Sequence, residues 1–269
     1  MPSRSTLNFQ LKGTNDERQL LQGIIDLLNS VPFGSSVVQG THNSIQKAKQ
    51  LYPDIVHPPV SLEFADLEET AGTTDIFCNR ISINRIPEKE RRSGTWQKRL
   101  INGILRAATL GHELRHVGTR YGYLPLLMNA QTQNEKVLAQ ILTEEDAWYV
   151  GNVIEASLFQ EMGLPLPNFL KAWLEKYNRA AGREQHMRDA LSKKHYWTKR
   201  ILKECPEGIP YISLDKTKTQ TYQALVALWL RKLRINVPPQ EALSAQFVTE
   251  SFDSFWKQFG KRWERLNDS

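Results

Sequence analysis

The sequence predicts an α+β protein, mostly helical, with a small antiparallel sheet in its N-terminal half and a helical C-terminal extension. Two observations carry this. Apolar residues alternate between residues 60 and 84, and no strand signal of comparable strength follows Pro87. From Thr95 on, apolar residues recur at helical spacing in one segment after another. Two parts are expected: residues 1–165, and an extension over residues 166–269 packed on the first.

The elements follow in order. "DERQLLQGIIDLLN" places Leu20, Leu21, Ile24, Ile25 and Leu28 on one helical face. "SVPFGSS" reads as a break, and "THNSIQKAKQLYP" as a short second helix stopped by Pro53. "VSLEF" alternates Val60, Leu62 and Phe64, a half-buried strand. After a turn-like "TAGTT", "DIFCNRISINRI" predicts a hairpin, with Ile76 on one arm, Ile81 and Ile83 on the other, and Asn79 near the bend. Thr95 is suited to cap a helix in which Trp96, Leu100, Ile104, Ala108, His112 and His116 recur every fourth residue, with Gly118 placed to end it. A further helix is expected from about Glu135 to Met162, stopped by "GLPLP". Four more amphipathic segments follow, and no internal repeat or low-complexity tract is present.

Composition narrows the class. At 269 residues, with 40% hydrophobic and 24% charged residues, the chain can bury a sizeable core, so disorder is not the default. No apolar run approaches the ~18 to 20 residues of a membrane span. Cys78 and Cys205 lie far apart, which argues against a disulfide framework and for a reducing compartment. "MPSRSTLNFQLKG" lacks the apolar core of a secretory signal. The expected location is the cytoplasm, or a destination reached by export without that signal. The net charge of +6 is uneven: residues from Pro165 on hold 19 Lys/Arg against 11 Asp/Glu, and the remainder 16 against 18.

The stretch that bears on chemistry is "ATLGHELRHVG". His112 and His116, four apart, leave one face of a helix one turn apart, so two imidazole nitrogens can reach one ion. Glu113 is offset by about 100° around the axis and can meet a water on that ion without completing the shell. Zinc lowers the pKa of such a water towards ~7, and the carboxylate removes its proton as it attacks a polarised carbonyl. Chance gives this pattern in about one chain of this length in 100, so the motif does not decide by itself. The apolar stripe running into both histidines adds weight, because burying two imidazoles without a partner is costly.

A closed set of protein ligands needs a third member. Glu144 and Glu145 follow His116 by 28 and 29 residues, enough for a loop and a returning helix. Glu144 shares a broad face with Ala147 and Gly151, whose small size permits close approach to the histidine helix. Glu145 lines up with Leu138, Leu142, Tyr149 and Asn152, a face that could also be buried.

"LGHELRHVGTR" followed by "TEEDAW" resembles the zincin metallopeptidases whose third ligand is glutamate, over roughly residues 55 to 165. It is most similar to small bacterial families that include effectors delivered into host cells. Those families show His-Glu-Leu-x-His and then Glu-Ala-Asp-Ala or Glu-x-x-Ala on the next helix; Glu144-Glu145-Asp146-Ala147 departs from the first form at Glu145. The resemblance implies a zinc peptidase acting on a protein or peptide, with His112, His116 and Glu144 as metal ligands and Glu113 as general base. By the same analogy an edge strand holds the substrate, and "RISIN" is expected as the wall of the cleft.

Other residues are considered by type. Tyr121, Tyr123, Tyr149, His186 and His195 could stabilise an oxyanion, but no spacing selects one and a structural role is favoured for each. Asp146 could orient a ligand imidazole or equally be exposed or capping. "WKQFGKRW" and "HYWTKR" interleave aromatic and basic residues as nucleic-acid binders do. Helical packing with snorkelling Lys and Arg is the favoured account. The competing class is a non-enzymatic helical binding module acting through its basic C-terminal half, with vestigial metal or none; a metal-binding scaffold without turnover is a third. Oligomeric state is not legible.

Overall fold

The computed structural model describes residues 7–51, 57–68, 70–75, 79–85, 95–129 and 133–177, together with Gly182, Gln185, His186 and Asp189. The elements run β1 (Phe9–Leu11), α1 (Asn15–Asn29), α2 (Pro32–Leu51), β2 (Val60–Ala65), β3 (Gly72–Asp75), β4 (Arg80–Asn84), α3 (Trp96–Asn129), α4 (Gln133–Glu161) and α5 (Asn168–Tyr177). Apart from those four residues, the expected segments beyond Tyr177 lie outside the described residues. The chain divides into two compact units, one of residues 1–118 and 147–179, the other of residues 119–146 and 180–269.

In the first unit, α1 starts where the sequence supplies a capping box. The Glu17 amide donates to Thr14 Oγ1 at 3.3 Å, and the Thr14 amide donates to Glu17 Oε2 at 2.8 Å. Leu21, Ile24, Ile25 and Leu28 are buried as their spacing requires, while Leu20 stays 45% exposed. The break that follows is short, because Pro32 opens α2 at a first-turn position where no amide proton is needed. The second helix is therefore longer at its start than expected.

The sheet is mixed rather than antiparallel. Its order is β1-β2-β4-β3, with β1 parallel to β2, β2 parallel to β4, and only β3 antiparallel to β4. A hairpin does form, but its described first arm is Gly72–Asp75, with Thr74 opposite Ile81, not the arm through Ile76 that the sequence suggested. Asn79 near the bend has φ 51°, a conformation asparagine tolerates better than most residues; Ile76 lies outside the described residues. Alternation marks a strand without saying which neighbour it will choose. Here β4 returns beside β2, pairing Leu62 with Ile81 and burying both completely. Among the described residues that placement puts "RISIN" inside the sheet and makes β3 an edge strand. Gly72 to Thr74, read from sequence as a turn, belong to that edge strand, and β1 is too short to show a period.

The long helix α3 also corrects the sequence reading. Thr95 caps it as expected, accepting from the Lys98 amide at 3.3 Å. Gly118 does not end it, for the helix runs to Asn129. Instead Gly118 lets α2 press against α3: a Cβ there would stand 3.1 Å from Thr41 Oγ1. Ser44 Oγ donates to the Gly118 carbonyl at 2.7 Å. Among the described residues, no helix is long and apolar enough to cross a membrane.

Candidate metal centre

A strict four-residue repeat drifts about 40° per step around a helix of 3.6 residues per turn. Trp96 and His116 therefore cannot share a face, and Trp96 is 62% exposed. Along the helix the core takes Ile104, Ala107, Ala108, Leu110, Leu114 and Val117. His112 falls at the margin of that face, half-buried, and His116 is buried.

The two imidazoles converge. Their Nε2 atoms lie 3.1 Å apart, with ring centroids at 4.8 Å and planes at 72°. Two nitrogens on one tetrahedral zinc, each at 2.0–2.1 Å, stand roughly 3.3 Å apart. The pair is thus spaced for a shared ion with almost no movement. Without one, a neutral ring can donate to its neighbour, depending on tautomer. Glu113 completes a cluster in which one ligand atom from each of the three residues lies within 4.8 Å of the others. Imidazole nitrogen and carboxylate oxygen are donors that suit zinc.

Glu113 is buried at 5% exposure beneath the edge strand. Thr74 Oγ1 donates to its Oε2 at 2.6 Å and lies 3.3 Å from its backbone carbonyl. Gly72 faces the same side chain: a Cβ there would come within 2.6 Å of Thr109 Cγ2 and 3.0 Å of Glu113 Oε1. Only glycine lets β3 lie so close over the carboxylate. On the other side of the pair, Trp148 sets its ring edge-on to His112, centroids 5.1 Å apart, while remaining 45% exposed. A Cβ on Gly151 would stand 3.5 Å from His112 Cβ, so α4 meets α3 beside the first histidine, as the small residues suggested.

Glu144, Glu145 and Asp146 belong to the second compact unit. Within it, Glu145 is buried and its Oε2 lies 2.7 Å from His186 Nε2, which gives both residues a partner. Asp146 is fully buried, so an exposed role for it is excluded. Glu144 is half-buried on α4. Tyr149 packs in a row with Trp173 and Tyr177, at 5.3 and 5.4 Å between successive rings. The side chains of Tyr121 and Tyr123, and all of His195, lie outside the described residues.

Sequence reasoning missed Thr74, Gly72 and Trp148. The first two stand in a segment whose composition signals a turn, and nothing local ties them to a helix 39 residues away. The fold and site define an α+β protein with a His-Glu-x-x-His cluster that could hold a metal ion. Compared with protein-family models, curated proteins and solved structures, the chain has no match.

Proposed function

We propose that the protein is a zinc-dependent metallopeptidase. The observation that carries the reading is the convergence of His112 and His116 Nε2 atoms at 3.1 Å beside the buried Glu113 carboxylate. His112 and His116 hold the ion, and Glu144 is taken as the third ligand, as the zincin resemblance implies and its shared face with Ala147 and Gly151 favours. When bound, zinc supplies Lewis acidity, lowering the pKa of water towards ~7 and polarising a carbonyl oxygen. Glu113 takes the proton from the water as its oxygen bonds to the carbonyl carbon. It then delivers that proton to the amide nitrogen as the carbon–nitrogen bond breaks. The substrate lies extended along β3, whose outer edge ends the sheet among the described residues and offers backbone groups for an added strand.

The test is metal analysis of purified protein together with a search for new peptide termini after incubation with a lysate. The expected result is about one zinc per chain and cleavage that stops on chelation and returns with zinc. Protein that purifies without zinc and cleaves nothing when zinc is supplied would leave the binding-module reading in its place.

A further inference from the structure

We infer that Thr74 is a positioning residue for the general base: its hydroxyl pins Glu113 Oε2 and presents Oε1 to the attacking water. The inference rests on the peptidase reading and adds a residue that the His-Glu-x-x-His pattern does not contain. It stands on geometry. Residues two apart on a strand share a face, and Gly72 and Thr74 both meet Glu113 from β3. The Thr74 Oγ1 to Oε2 distance of 2.6 Å is well within the range of an O–H···O hydrogen bond. A hydroxyl has one proton, so this short contact takes it and the 3.3 Å approach to the Glu113 carbonyl does not.

Both partners are buried, Thr74 at 9% and Glu113 at 5% exposure, so water does not readily substitute for the hydroxyl. Threonine is suited to the task because its branched side chain is stiff about the first torsion. Glutamate is not stiff, and an unpinned carboxylate would explore several rotamers. A general base must stand about 2.6–3.2 Å from the proton it removes, a tolerance that such wandering exceeds. Gly72 acts with Thr74 by leaving room for the carboxylate under the strand.

The experiment uses the full chain loaded with zinc and three proteins: wild type, Thr74→Val and Thr74→Ser. Valine keeps the branched shape and suits a strand; serine keeps the hydroxyl. For Thr74→Val, kcat should fall roughly 10- to 100-fold, as for other residues that orient a metal site's working groups. Its KM should stay within about twofold, because an interaction used only in the transition state is lost. Thr74→Ser should recover most of kcat, and all three should hold equal zinc.

A second readout needs no turnover. Crystal structures of the metal-free proteins should show Glu113 in one position in wild type and displaced or spread over several in Thr74→Val. Wild-type cleavage with Thr74→Val at full kcat, or with Glu113 unmoved in that variant, overturns the role of Thr74 and leaves the peptidase reading standing. Wild type that holds no zinc and cleaves nothing overturns that reading first.

Discussion

Among the described residues of the first compact unit two carboxylates are buried, and they are buried differently. Glu113 on α3 is 5% exposed and accepts a 2.6 Å hydrogen bond from Thr74. Glu155 on α4 is 8% exposed, and its Oε1 has no hydrogen-bond partner among the described residues. Desolvation by burial pushes the Glu155 carboxyl above its ordinary value of 4.5. Leaving a buried acceptor unsatisfied costs about 1–3 kcal/mol, so Glu155 is a liability to folding while Glu113 is held in a built setting. Burial alone therefore does not distinguish the two; a strand lying close over Glu113, and two imidazoles converging beside it, do.

The comparison breaks most visibly at Glu113. Glu113→Gln keeps size and helix propensity but removes the base, so kcat should fall by about 10²–10⁴ while zinc stays bound. Steady-state kinetics with metal analysis on one preparation checks this, and unchanged turnover would sink the mechanism. The α4 carboxylates extend the contrast. Glu144→Ala should lose most bound zinc after dialysis, since two imidazoles alone make a weak and open site. Glu145→Ala, which removes the partner of His186, should keep the metal. The reverse pattern would move the third ligand to Glu145.

Smaller effects separate the two settings by stability. Gly72→Ala adds a Cβ 3.0 Å from Glu113 Oε1 and 2.6 Å from Thr109 Cγ2. Such overpacking should destabilise the fold by about 1–3 kcal/mol and lower activity with it, as read by urea denaturation and kinetics. Glu155→Met should instead stabilise by about 1 kcal/mol at pH 7, because it removes an unsatisfied acceptor at similar volume.

The sign of the pH dependence follows from the raised pKa. Between the unfolded value and the higher folded one, the native state binds more protons at Glu155. Wild type thus loses stability as pH rises through that window and carries a constant penalty above it. The gain from Glu155→Met should be largest near neutrality, shrink as pH falls from the raised folded value towards 4.5, and change no further below it. A gain independent of pH would mean that the Glu155 carboxyl titrates alike in the folded and unfolded chains.

Much of the helical part was legible because its signals are local. The spacing of Leu21, Ile24, Ile25 and Leu28 gives the buried face of α1, and Thr95 gives the start of α3. The end of α3 was misread, since glycine serves both to close a helix and to admit a neighbour. Only the contacts of Thr41 and Ser44 show that Gly118 does the second. Strands β2 and β4 were readable as strands, but their parallel pairing was not.

By itself the sequence determined the convergence of His112 and His116, because residues four apart on one helix are brought together by backbone geometry alone. It likewise set Glu113 next to the first histidine. The tertiary structure decided what lies over that cluster. Whether β3 or β4 takes the edge depends on which arrangement buries whole strand faces together, a competition among residues far apart in the chain. The hydroxyl at Thr74 and the missing side chain at Gly72 acquire a role only once that competition has placed them against Glu113.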